Sequence, residues 1–166
     1  MYTALDVAMH VVNYINDQGG TVSNLKLQKL LYFVQGFFLI LKDGPCFEDE
    51  IEAWDFGPVV PEVYFEFRRY GSCSIPSVDR VYDFSIFKDF GEDLGLEGNQ
   101  YIDHIARDDV QLINDVVNSL KKYSASTLVR MTREQDPWKK TYDPANIHKK
   151  ITLNSIDRYF RDRYLS

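Results

Sequence analysis

Apolar residues recur at helical spacing through most of this chain and alternate over one short stretch only. Leu5, Ala8, Met9, Val12 and Ile15 predict a first helix. Thr3, followed three positions later by Asp6, makes a relaxed capping box at its start, and Gly19-Gly20 supplies a residue able to take the left-handed conformation that ends it. A second helix is predicted over about residues 24–42, capped by Ser23 or Asn24. Its stripe is Leu27, Leu30, Leu31, Val34, Phe38 and Leu41. Phe33, Phe37, Leu39 and Ile40 widen that stripe until the second half is apolar nearly all round. Such a helix belongs at the centre of its domain. Lys26 and Lys29 mark one polar edge of it, and Gln28, Tyr32 and Gln35 mark another.

After a turn at Asp43-Gly44-Pro45, Phe47 to Phe56 alternates weakly, with Ile51, Ala53 and Asp55 on one side of a short strand. Gly57-Pro58 breaks that strand. Pro61 then opens a third helix with Val60, Val63, Tyr64 and Phe67 on its inner face and Gly71 at its end. Ser, Pro, Asp and Gly punctuate residues 72–103, which predicts a long loop carrying one further strand at Arg80 to Phe87. Helical spacing returns in Val110, Ile113, Val116, Val117 and Leu120. A short helix follows through Leu128 and Met131, capped by Ser124 or Ser126. After an interruption at Asp136-Pro137-Trp138, a last helix runs from Ile151 to Tyr164 around Ile156, Tyr159 and Phe160. The expected fold is mainly α: one compact helical domain over residues 1–166 with about six helices. It carries a small β element near residues 47–56 and 78–87 and a loop insertion at about 72–103.

An apolar fraction of 45%, with 11 Phe and 11 Tyr, is enough for one core and unlike the composition of a disordered chain. The longest apolar candidate, Leu30 to Leu41, is broken by Gln35 and Gly36 and falls short of the roughly 18 residues a membrane span needs. The N-terminus lacks the basic region and apolar core of a signal peptide, so Cys46 and Cys73 are expected as reduced thiols and the localisation as cytoplasmic. The net charge of −6 is unevenly distributed. Between Asp43 and Phe67 there are eight acids and no Lys or Arg, whereas Lys121 to Arg163 holds eleven Lys or Arg against five acids. An acidic total disfavours nonspecific grip on nucleic acid, which works by neutralising phosphates. The acidic block is either a solvated face or an attraction for a basic partner.

No reaction is indicated. His10, His104 and His148 are isolated, and Cys46 and Cys73 lack zinc-knuckle spacing, so neither a metal nor any other cofactor is expected. Gly71-Ser72-Cys73-Ser74 is no nucleophile elbow, and Gly91, Gly95 and Gly98 fit no phosphate-binding loop. The basic C-terminal stretch interleaves Lys139, Lys140, Lys149, Lys150, Arg158, Arg161 and Arg163 with Tyr142, Tyr159, Phe160 and Tyr164. That pattern suits either single-stranded nucleic acid or an ordinary amphipathic helix with a solvated basic side.

Two segments carry a specific resemblance: Asn24-Leu25-Lys26-Leu27-Gln28-Lys29-Leu30-Leu31-Tyr32-Phe33, and Ile51-Glu52-Ala53-Trp54-Asp55-Phe56-Gly57-Pro58-Val59-Val60-Pro61-Glu62-Val63-Tyr64. Together they resemble the Panacea domain family, also described as SocA-like or GepA-type phage-associated proteins. Ser126, Leu128 and Met131 to Trp138 extend the likeness, as do Ile156, Tyr159 and Phe160. The resemblance implies a non-enzymatic antitoxin that neutralises a cognate toxin by direct binding, the toxin being encoded by the adjacent gene. It also leaves open an adaptor that delivers the toxin to a bacterial protease. A nucleic-acid-binding regulator using the basic C-terminal helix is the alternative from another class. The family commonly has His where this chain has Arg133, which removes any histidine role there.

The residues carried over as motif or partner-binding positions are Gln28, Lys29, Tyr32, Gln35, Trp54, Asp55, Gly57, Pro58, Val59, Pro61, Tyr64 and Trp138. Two readings of them stand side by side. Buried Gln and Tyr require hydrogen-bond partners, so the cluster can be a structural network. Alternatively Tyr32, Trp54 and Tyr64 border a toxin-binding face, since aromatic residues are enriched among interface hot spots.

Overall fold

The structure is a computed structural model and describes residues 1–77 and 104–166. The strand expected at 78–87 and most of the insertion expected at 72–103 lie outside those residues.

Helix α1 spans Ala4–Asp17, and the Thr3 side chain accepts from the Asp6 amide as the capping pattern predicts. Helix α2 spans Asn24–Leu41, with Ser23 accepting from the Lys26 amide. It packs against α1 and against most of the elements that follow it. These partners are strand β2 (Gly57–Val59) and helices α3 (Pro61–Phe67), α4 (Arg107–Leu120), α5 (Ala125–Arg133) and α7 (Leu153–Tyr164). The short helix α6 (Asp136–Lys139) joins α5 to α7. The expected core helix is therefore the hub of a mainly α fold, and its polar edges are buried with it. Gln28, Lys29, Tyr32 and Gln35 are all at most 1% exposed, while Leu41, assigned to the stripe, is 53% exposed at the helix end.

Two differences from the sequence reading lie in the β element. Strand β1 is shorter than expected, Ile51–Trp54, and Asp55 falls in the turn instead of beside Ile51 and Ala53. Gly57-Pro58 does not end the strand system. It begins β2, which pairs antiparallel with β1 in the register Trp54–Gly57, Ala53–Pro58 and Glu52–Val59. A proline is tolerated there because, among the described residues, β2 is an edge strand with no further neighbour awaiting its missing amide. On the other side of β1 lies β3 (Lys150–Ile151), pairing Ile51 with Ile151. The last helix consequently starts at Leu153, capped by Thr152, and not at Ile151. Asp136-Pro137-Trp138 is likewise helical and not an interruption, with proline in the first turn where its absent N–H costs nothing.

Two other contacts complete the core. Ile75, at the start of the insertion, donates its amide to the Val22 carbonyl and is buried. Phe160 of α7 lies against Gly36 of α2, in edge contact with Tyr32, Phe33 and Phe37.

Candidate functional site

The motif residues converge where α2 meets the β1–β2 hairpin. Gln28 donates to Asn24 Oδ1 at 2.9 Å and accepts from the Val60 amide at 2.9 Å, and Asn24 donates to the Tyr64 carbonyl at 3.1 Å. Gln35 donates to the Phe47 carbonyl at 2.8 Å and accepts from the Cys46 amide at 2.8 Å. Tyr32 donates its hydroxyl to Gln135 Oε1 at 2.8 Å, and burial raises its pKa well above the ordinary range. Asn24, Gln28 and Gln35 thereby satisfy backbone groups of the hairpin's flanks, and Tyr32 ties α2 to the Gln135 side chain. The network reading holds for Gln28, Tyr32 and Gln35. Tyr32 has no surface to present, so it cannot border a binding face.

Lys29 departs most from expectation. Placed by its spacing on a polar edge beside Lys26, it is fully buried. Its Nζ donates to the Pro58 carbonyl at 2.8 Å, with no carboxylate among the described residues in an ion pair with it. Desolvation lowers its pKa to about 7. Gly57, with φ at +100°, makes room for it: a Cβ there would meet Thr132 Oγ1 at 2.8 Å and Lys29 Cε at 2.9 Å. Val59, the last residue of the same strand, is buried, and Pro61 starts α3 just beyond it. Gly57, Pro58, Val59 and Lys29 are thus one device that clasps the hairpin onto α2.

The other side of the hairpin faces outward. In β1 the core takes Ile51 and Ala53, which leaves Glu52 and Trp54 on the exposed side. Trp54 is half-buried, with its ring centroid 4.8 Å from that of Tyr64 and 6.2 Å from that of Phe65, and Phe65 is 52% exposed. Its indole N–H donates to Glu52 Oε2 at 2.6 Å, and the His148 ring lies 3.1 Å from the same oxygen. Trp138 holds this platform from behind, donating to the Trp54 carbonyl at 2.8 Å and stacking on Tyr142 at 4.4 Å. Tyr142 in turn donates to Asp55. Arg133 sits 4.8 Å over the Trp138 ring, where its guanidinium is held by cation–π attraction.

Of the sequence-derived set, then, Trp54, Tyr64 and Asp55 reach the surface, whereas Gln28, Lys29, Tyr32, Gln35, Val59 and Trp138 build the frame. The sequence reading missed Phe65 and Phe56, the latter 65% exposed at the hairpin tip. Phe65 lies off the apolar face of α3 and Phe56 in the two-residue turn of the hairpin, and a large apolar residue in such a place was the sequence signal for each. In the basic C-terminal stretch, Ile156 and Phe160 are buried. Lys140, Lys149, Lys150 and Arg161 are held by Asp136, Asp143, Glu50 and Asp157 respectively. Fewer cations are left there for a phosphate backbone.

Among the described residues there is no cluster of three or more His, Cys, Asp or Glu able to hold a metal, and no helix long and apolar enough to cross a membrane. Cys46 is buried and Cys73 exposed, both as free thiols.

Fold and site together define a helical domain in which a hairpin, clasped from inside by a buried lysine, displays aromatic rings outward. The family model described as "Antitoxin SocA-like, Panacea domain" matches residues 27–139, which takes in the clasp, the rings and the Trp138 support. The protein named Antitoxin SocA from Caulobacter vibrioides (strain NA1000 / CB15N) is 34% identical over 164 residues, covering 95% of this chain and 81% of its own length. The chain belongs to the SocA-like Panacea family. No solved structure matches it.

Proposed function

We propose that this chain is an antitoxin that neutralises a cognate toxin protein, the product of a neighbouring gene, by direct contact through the outward rings of the hairpin and α3. The observation that carries this reading is the family match running through the elements that present Trp54, Tyr64 and Phe65. Large rings held by a rigid frame give contact area at small entropic cost, and interface cores are enriched in such residues. The chemistry required is recognition, with no bond made or broken by this chain.

Co-expression tests it. The neighbouring gene product alone should arrest growth, and this protein should restore growth while the amount of toxin stays constant. A Trp54→Ala, Phe65→Ala double variant that remains folded should lose rescue. A neighbour that is harmless alone, or that is never rescued, would remove the antitoxin reading. Rescue with disappearance of the toxin would replace direct neutralisation by delivery to a protease.

A further inference from the structure

The outward side of the hairpin continues backwards along an extended segment. Glu52 and Trp54 point away from the core, and the same alternation carries Glu50 and Glu48 to that side. Glu48, Glu50, Glu52 and Glu62 line a surface cleft of about 490 Å³, bounded by Tyr2 and Pro61, and among the described residues no Lys or Arg contributes to its wall. Some of this charge is already answered: Lys150 pairs with Glu50 at 2.6 Å and His148 lies against Glu52. Among the described residues Glu48 and Glu62 have no ion-pair partner, and both are exposed.

This cleft and the aromatic face share Glu52, whose carboxylate accepts from the Trp54 indole. The Arg68 guanidinium, three residues on, lies 5.4 Å over the Phe65 ring in a cation–π contact within the chain, which leaves the cleft and not this ring as the place for a partner's cation. An exposed aromatic platform beside an acidic cleft complements a segment carrying both apolar and cationic side chains. The unpaired carboxylates of the cleft disfavour anionic lipid and nucleic-acid phosphate.

We propose that the face formed by Trp54, Tyr64 and Phe65 docks an arginine- or lysine-bearing segment of a partner protein, with apolar side chains on the rings and cations in the cleft at Glu48 and Glu62. Naming that partner as the toxin rests on the antitoxin reading; the recognition chemistry rests on the surface alone.

The test titrates the full chain with two synthetic peptides of equal length, one alternating Arg and Leu, the other Glu and Leu. Binding is followed at the Trp54 indole N–H resonance. The Arg–Leu peptide should shift that resonance and bind roughly tenfold or more tightly than its acidic counterpart, with added salt weakening it. Glu48→Lys with Glu62→Lys should erase the preference, and Phe65→Ala should weaken the Arg–Leu complex. Equal binding of the two peptides, perturbed resonances mapping away from Trp54, or an oligothymidylate strand occupying the same face would overturn the proposal. Growth rescue measured in parallel separates two failures. A wild type that does not rescue removes the antitoxin reading and leaves the peptide result standing. Rescue undiminished by the charge reversals removes the toxin as the partner docked at this face and leaves the antitoxin reading.

Discussion

The Lys29→Met variant is expected to differ from wild type in the pH dependence of its stability by several kcal/mol. In the folded chain the Lys29 ammonium is fully buried, donates among the described residues only to Pro58, and burial lowers its pKa to about 7; an unfolded lysine titrates near 10.5. Above the unfolded value the amine is neutral in both states and costs nothing. As pH falls towards 7 the unfolded chain binds the proton first, so wild-type stability declines; below 7 both states are charged and the loss is complete. The full loss is about 5 kcal/mol, because each tenfold difference in proton affinity between the two states corresponds to about 1.4 kcal/mol. Methionine fills similar volume without a charge and leaves the Pro58 carbonyl unpaired, a pH-independent cost of about 1–3 kcal/mol. Urea unfolding at pH 7 and 9.5 reads the outcome. Wild type should gain about 3 kcal/mol on the variant over that interval, and parallel pH profiles would show that Lys29 is charged and solvated in the folded state.

Gly36→Ala is expected to destabilise the protein, reversing the usual sign of that substitution. Inside a helix, alanine is ordinarily better than glycine by about 1 kcal/mol. Here a Cβ on residue 36 would stand 2.2 Å from Phe160 Cε1 and 2.3 Å from Cζ, inside a ring cluster with Tyr32, Phe33, Phe37 and Tyr164. The ring must leave its place, and it is one of the side chains through which α7 packs on the hub. Overpacking in a dense core costs about 1–3 kcal/mol and a contact this short belongs at the upper end, so the net loss after the helix gain should be about 1–2 kcal/mol. Phe160→Leu, which frees that space, should be less damaging in the Gly36→Ala background than alone, with a coupling of about 1 kcal/mol or more in a double-mutant cycle. A Gly36→Ala chain as stable as wild type would mean that α7 does not pack on α2 as described.

These two sites mark where sequence reading stopped. Helical spacing and caps were legible because they are local: Thr3, Ser23 and Ser124 each sit one residue before their helix and bond to its first turn. The core role of α2 was legible from its breadth of apolar positions. Lys29 was misread because periodicity locates a face but cannot report that β2 and α5 cover it. The β2 strand was unreadable because three residues containing Gly and Pro carry no alternation, and its place is fixed by the Lys29 clasp and by pairing with β1. Phe160 over Gly36 joins positions far apart in the chain, where no local pattern exists. In the site, the family motif combined frame and surface without distinguishing them. The separation between buried Tyr32 and exposed Phe65 is a property of packing.

Direct partner contact through the exposed rings is tested most directly by calorimetric titration of purified toxin into the wild-type and Phe65→Ala chains. Phe65 is half-exposed, so its loss should leave the thermal midpoint nearly unchanged. Wild type should bind with no protease present, and Phe65→Ala should bind roughly tenfold or more weakly, a loss of about 1.4 kcal/mol or greater. Equal affinity of the two chains, or absence of binding by wild type, would contradict it.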